Sequence, residues 1–514
     1  MTDVSFHRSG VAVRLAVAAA IAVFASHVRA EDAVGVWKVV CGSLDGPQGR
    51  AAELITAEAG TWLLREPGVY ATRVLPIVDA RGFEDSTNAN LIVVGTLADN
   101  PVLAKYLKAD DVPAGGYLVR AFADGARNVA LVAGSDARNV LWAAVDFVDD
   151  AMTALRPFRG NGLKFGADPF RVGELWDNPT GDRYRVNPYM SRRVPRTKVR
   201  SVFTWGHPID DFREYFRNLA RMKINRVYLW NNEPPLNAKE VVDWAHSWGV
   251  EVFWGFEWGW GTQREKTASE PNDAIVARVL AQWRGVWSRL PGDGIYFQTF
   301  TEMRTKELGG EPVARKAVRC VNAIAADILR ERPDLRIVFG LHATSVRDHL
   351  DEIAAADPRL EILWEDTGAF PFGYWVDTTP ETDDAFNRRI VSDPRHPVGL
   401  VFKWLMIQDW NRFTYQQGPY LLGVTSRKTY EDDVKLQADL WQNFTVDWAE
   451  KGVRAYETVR MVQAQGPDVE LNIAAQLNGP IHYPTALTAE LFWSADEPFE
   501  TIRARVLERR SVVK

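Results

Sequence analysis

Three stretches decide the fold: VRSVFTW (199–205), NRVYLW (225–230) and VEVFW (250–254). Each is a short, mostly apolar run closing on a tryptophan. The segments between them, 210–222 and 237–248, carry apolar residues at helical spacing. The rhythm continues through GIYFQTF (294–300), LRIVFGL (335–341), LEILW (360–364) and VGLVFKW (398–404). Helical segments at 271–290, 311–331, 347–356 and 381–391 fill the gaps. YLLGV (420–424) supplies an eighth strand. Strands that alternate with helices in this number predict a parallel (β/α)8 TIM barrel over 197–426. No GxGxxG or Walker sequence follows any strand, which removes the signature of a nucleotide-binding sheet.

Working outward, residues 31–176 read as a small α/β domain. LIVVG (91–95), GYLVR (116–120) and VALVA (129–133) are strands, and Ser135-Asp136 opens a helix from Ala137 to Met152. A Pro/Arg/Asn-rich link, 177–196, leads into the barrel. From 427 to 514 the chain reads as a helical C-terminal region, with a long segment Tyr430–Ala464 and a last helix near Pro498–Arg510.

At the start, His7, Arg8 and Arg14 precede the apolar run LAVAAAIAVFAS (15–26), and Val28-Arg29-Ala30 offers a cleavage site. Residues 1–30 are therefore expected to be a signal peptide of a secreted or periplasmic protein. The run is too short to span a bilayer, and no later stretch reaches the ~18 uninterrupted apolar residues a span needs. After cleavage no membrane association is expected.

Composition narrows the partners. Aromatics at 11% of 514 residues exclude a disordered chain. A net charge of −6 without a basic block excludes nucleic acid. Cys41 and Cys320 fall in different domains and read as buried thiols. There is no CxxC, and the eight histidines show no HExxH spacing, so neither a metal nor a cofactor is expected.

The ends of barrel strands are where active sites are built. Trp205 and His207 follow strand 1, and Trp230 ends strand 2. Strand 3 runs into Glu257, Trp258 and Trp260; strand 4 into Glu302 and Arg304; strand 5 into His342 and, further on, Arg347. Strand 6 gives Trp364, Glu365 and Asp366, and strand 7 gives Lys403, Trp404 and Trp410. Paired carboxyls beside aromatic faces suit cleavage of a glycosidic bond, where two carboxyl groups flank the scissile atom and flat rings hold the sugar. Glu302 ends a very apolar strand, so a dry surround raising its pKa is expected, which suits a general acid. Glu365 and Asp366 are neighbours, so on an extended backbone only one faces the cavity. Asp366 is the favoured water-activating base, with Glu365 close behind. Each carboxylate has a plainer alternative as an ion-pair partner or helix cap. Glu257 and the two histidines are assigned to sugar hydroxyls. Arg304, Arg347 and Lys403 are candidate partners for a substrate carboxylate. Of the 20 tryptophans, the seven at 205, 230, 258, 260, 364, 404 and 410 are expected to stack on sugar.

The segment GYLVR (116–120) followed by AGSDARNVLWAA (133–144) resembles the small α/β domain before the barrels of family 67 α-glucuronidases and family 20 hexosaminidases. Those proteins usually carry Gly where this chain has Asn139, a residue that also tolerates a left-handed backbone. The order of leader, α/β domain, barrel and helical tail is similar to that of the α-glucuronidases over most of the chain. Family 20 enzymes place an Asp directly before the strand-4 Glu; here that residue is Thr301. The α-glucuronidase resemblance implies a strand-4 Glu acid, matched by Glu302, and a later carboxylate activating water with inversion, matched by Asp366. Strand 7 carries Lys403 where a further carboxylate would stand. The resemblance thus implies a glycoside hydrolase acting on oligosaccharides or polysaccharide fragments, including ones that bear a uronic acid. Two other classes remain: a carbohydrate-binding protein on a barrel without catalysis, and a uronate lyase or isomerase using Lys403 and His342 as a proton-transfer pair.

Overall fold

The computed structural model describes residues 37–63, 75–85, 89–125, 127–149, 188–204, 206–230, 233–259, 264–365, 379–392, 395–405, 419–475, 477–509 and 511–513. The expected leader lies outside them. Among the described residues no helix is long and apolar enough to cross a membrane.

The first unit is a six-stranded sheet of β1 (Trp37–Cys41), β2 (Ile77–Asp79), β3 (Asn90–Gly95), β4 (Tyr117–Asp124), β5 (Arg127–Gly134) and β6 (Tyr189–Arg193). Its order is β2-β1-β3-β5-β4-β6. The β1, β2, β3 and β5 pairings are parallel, while β4 is antiparallel to both β5 and β6. Successive side chains leave opposite faces, and both faces are covered. Val39, Ile92, Val94 and Val132 meet α1 (Gly46–Leu63) and α2 (Ala137–Asp149), whereas Val40, Leu91, Val93 and Leu131 meet Leu103 and Leu107. The 177–196 segment, read as a link, contributes β6 to this sheet. Asn139 is helical rather than left-handed; it bonds back to Ser135 and Asp136. The tight spot is Gly134, where a Cβ would collide with the Val140 and Asn139 backbone.

The second unit is a closed barrel of eight parallel strands. They are β7 (Arg200–Phe203), β8 (Arg226–Trp230), β9 (Glu251–Glu257), β10 (Gly294–Gln298), β11 (Arg336–Leu341), β12 (Glu361–Trp364), β13 (Val398–Leu405) and β14 (Glu470–Ala475). Helices α3 (Phe212–Arg221), α4 (Ala238–Ser247), α5 (Asn272–Gly285), α6 (Val313–Glu331) and α7 (Pro380–Val391) connect most of them. Side-chain caps start several: Asp211 accepts the Arg213 and Glu214 N–H groups at α3, and Thr379 with Thr382 forms a reciprocal cap at α7.

The eighth strand is not Tyr420–Val424. That segment is a strap held by the Asn237 side chain and by a bond from the Leu236 N–H to Tyr420. Closure comes from β14, after α8 (Arg427–Gln463), so the barrel extends beyond residue 426. The region after 427 is otherwise mostly helical, with α9 (Tyr483–Trp493) and α10 (Phe499–Glu508), and a short parallel strand pair at Ile481–His482 and Val512–Val513.

The interior of the barrel is layered. Phe203, Tyr228, Trp230, Phe253, Tyr296, Val338, Leu363, Val401 and Ala474 form a separate inner cluster. Beneath it, at the N-terminal ends of the strands, Arg226 meets Glu361 (2.8 Å), Glu470 (2.7 Å) and Glu251 (3.1 Å), and Arg336 meets Glu251 and Glu361. This ionic floor closes the barrel from below and leaves the upper end for chemistry.

Candidate active site

Each strand obeys one alternation. The inner cluster fixes Tyr228, Phe253, Tyr296, Val338, Leu363 and Val401 as inward. Counting up by two places Trp230, Glu257, Gln298, His342, Glu365 and Lys403 at the mouth. Like His342 after β11, Glu365 follows the last residue of its strand, β12. Its N–H still donates to the Leu341 carbonyl at 2.9 Å, so the ladder continues and Glu365 faces opposite to Trp364. Of the Glu365-Asp366 step, Glu365 is therefore the one seen facing the barrel; Asp366 lies outside the described residues.

The fully buried Glu365 carboxylate has three partners. Tyr296 donates its hydroxyl to Oε1. His342 Nε2 lies 3.1 Å from Oε2, and Lys403 Nζ lies 3.9 Å from the same oxygen. Burying a charge demands such company, since an unpaired carboxylate in a dry interior is very costly. The Gln298 amide sits 2.9 Å from His342 Nε2. Glu302 Oε2 lies 3.9 Å from the same nitrogen. Glu302 is not enclosed as its strand composition implied: its side chain is 24% exposed, because the chain has turned at Thr299–Thr301 and carried it to the rim.

Thr301 is a fastener. Its hydroxyl accepts the His342 N–H at 3.3 Å and its carbonyl accepts the Ser345 hydroxyl, tying the end of β10 to the turn after β11. Two glycines open room inside. A Cβ at Gly340 would overlap the Tyr296 hydroxyl and ring, and one at Gly255 would overlap Trp230.

The remaining expectations divide. His207 is buried beside the β7 end, and burial pushes its pKa down to about 3, so its ring is neutral. Glu257 is half-buried at the mouth, in register with Gln298, and accepts the Gly259 N–H at 3.2 Å. Arg304 is exposed on the rim beyond Glu302. Arg347 instead pairs with Asp383 at 3.8 Å and lies over the Phe386 ring, which assigns it to the α7 packing. Lys403 is buried against Glu365.

The tryptophans need the largest correction. Trp258, Trp364 and Trp404 sit on the outward parity of their strands and are buried. Trp258 packs on Phe297 and Phe300, Trp364 on Phe386, and Trp404 on Phe402, Trp448 and Phe492. Trp364 and Trp404 join strands to helices, Trp258 joins neighbouring strand ends, and their rings are buried in these contacts. Trp230 points inward but lies buried against Phe203 and over Gly255. Trp205, Trp260 and Trp410 lie outside the described residues. Gln298 and Tyr296 went unrecognised as site residues because Tyr296 reads as core and Gln298 as an interruption; strand parity is the signal that finds both.

Among the described residues no group of three His, Cys, Asp or Glu side chains is placed to hold a metal ion. Cys41 and Cys320 are free and buried, and burial pushes both thiols up to about 11.

No family model and no curated protein matches this chain. Solved structures similar to it include glycoside hydrolases. A GH20 β-N-acetylhexosaminidase from Streptomyces coelicolor is 13% identical at a TM-score of 0.47, over 93% of this chain and 91% of that one. A GH20 exo-β-N-acetylglucosaminidase from Vibrio harveyi is 9% identical at 0.46, over 93% and 73%. A GH138 enzyme targeting pectin rhamnogalacturonan II is 11% identical at 0.45; 90% of this chain is covered, and it spans about half (51%) of that one.

Proposed function

We propose that this protein is an exported glycoside hydrolase, with Glu302 as the general acid and the Glu365-Asp366 step as the source of the water-activating base. One observation carries the reading. Glu302 and Glu365 both approach the same nitrogen of His342, at 3.9 and 3.1 Å, so their nearest carboxyl oxygens are at most about 7 Å apart. That ceiling admits the ~5–5.5 Å pair of a retaining glycosidase and the lower edge of the ~6.5–9.5 Å pair of an inverting one. The partly exposed member can meet a leaving oxygen, and the enclosed member is held rigid from below. The substrate class proposed is an oligosaccharide released from a polysaccharide, bearing a uronic acid as an α-glucuronidase substrate does. Lys403 and Arg347 are engaged within the protein, so Arg304 on the rim is the cation assigned to the sugar carboxylate.

The test is a panel of aryl glycosides and glucuronoxylan fragments assayed with wild type and Glu302→Gln. Loss of a general acid lowers kcat by about two to four orders of magnitude. A Gln variant at wild-type turnover removes Glu302 from that role. A second reading, a uronate lyase, draws on the convergence of Lys403 and His342 on one Glu365 oxygen. An unsaturated, ultraviolet-absorbing product from the same panel would select it.

A further inference from the structure

Above the ionic floor, Tyr296 reaches across a whole strand. Tyr296 is on β10 and Glu365 follows β12; the strand between them, β11, presents Gly340 at the crossing point. Any side chain at 340 would occupy the place of the Tyr296 hydroxyl. The tyrosine is wholly buried in the inner cluster, with Phe203 and Tyr228 edge-on against its ring at 5.0 and 5.6 Å. A rigid ring, a gap made by a glycine and a buried carboxylate at the far end therefore form one fixed arm.

We propose that Tyr296, reaching over Gly340, is the positioning residue that fixes the orientation of the Glu365 carboxylate, with one oxygen held by the phenol and the other turned to His342 and the mouth of the barrel. With Oε1 held by the phenol, Oε2 is the oxygen left to face His342 and Lys403. The charged and titratable groups around the His342 ring among the described residues are Glu302, Glu365 with its partners Tyr296 and Lys403, and Glu257 next to Gln298. Without the phenol the carboxylate loses its lower anchor and rotates toward Lys403. The kinetic part of this inference rests on the glycosidase reading; the structural part does not.

Two variants test it, each by crystallography and by kinetics. Tyr296→Phe removes only the hydroxyl, and Gly340→Ala displaces it from the other strand. In both crystal structures Glu365 Oε2 is expected to leave His342. In both enzymes kcat is expected to fall about tenfold with KM within about twofold, a split that a merely structural role would not give. A Glu365 carboxylate that stays in place in Tyr296→Phe overturns the proposal. So does a displaced carboxylate with an unchanged kcat in an active hydrolase. If the carboxylate is displaced while wild type cleaves no glycoside, the hold of Tyr296 on Glu365 stands and the glycosidase reading is what fails. Should Gly340→Ala not fold, Tyr296→Phe decides alone.

Discussion

At His207 the ring is buried behind a turn whose Gly206 adopts a φ of 72°, a conformation that favours glycine. Burial disfavours the imidazolium, so the folded pKa falls to about 3 while the unfolded ring titrates near ~6.5. The unfolded chain then binds the extra proton between those values. The contribution of this group to stability is complete above about pH 6.5 and declines by about 1.4 kcal/mol per pH unit as pH falls toward 3. His207→Asn, which cannot titrate, is expected to flatten the dependence of unfolding free energy on pH between 6 and 4. Urea melts across that range measure it, and an equally steep slope in the variant would show that His207 is not its source. Neighbouring residues illustrate how differently single positions read. Glu302 was legible as a rim carboxylate because the apolar run before it ends so sharply. Its surround was not, because the turn at Thr299–Thr301 depends on hydrogen bonds to His342 and Ser345, which lie 40 residues or more along the chain.

Strands explain the rest of the site better than residues do. Period-two alternation, anchored on the inner cluster, sends Glu257, Gln298, His342, Glu365 and Lys403 inward and Trp258, Trp364 and Trp404 outward. That rule was available from the sequence, but it needs the correct phase on every strand, and only packing supplies the phase. Strand β14 was missed for a related reason. Its inward Glu470 and Asn472 bond to Ser201, and Glu470 also meets Arg226, so a strand of the ionic floor looks polar. YLLGV looks like a strand because it is almost wholly apolar, yet Leu421 and Val424 are exposed and Gly423 at a φ of 81° breaks extension. The outward tryptophans yield a test at this scale. Trp364→Ala and Trp404→Ala remove rings packed on Phe386 and on Phe402 and Trp448, which should cost about 3–5 kcal/mol of stability. KM for the glycoside is expected to stay within about twofold. A tenfold rise in KM with an unchanged melting temperature would return these rings to substrate stacking.

Across the molecule, the sheet unit, the barrel and the C-terminal helices share one buried ionic cluster. Asp146 of α2 meets Arg193 of β6 at 3.1 Å and Lys223 of the barrel at 2.5 Å. Arg193 reaches Glu490 of α9, which also holds Arg505 and Arg509 at 3.1 and 2.8 Å. Beside them the Arg200 guanidinium stacks on Trp142 and Trp493, at 4.5 and 4.9 Å, joining all three parts. Burial raises the Asp146 pKa, but Lys223, Arg193 and Arg509 outweigh it and bring it down to about 2. Glu490 is driven low in the same way, burial opposing and Arg193 and Arg509 prevailing. For a carboxylate held below its unfolded value, the stabilisation is present above about pH 4 and is lost as pH falls toward the folded pKa. The three parts should therefore come apart together on acidification below about pH 4. Asp146→Asn leaves Lys223 and Arg193 with one buried anion fewer, and breaking a buried pair from one side costs about 3–5 kcal/mol. At neutral pH that variant should melt earlier and release the sheet unit to protease while the barrel persists. Its acid transition should also be shallower than that of wild type, because one of the protons that drive it is gone. A variant with wild-type stability and an unchanged acid transition would show that the apolar contacts of Trp142 and Trp493 dock the sheet unit without help from the charges.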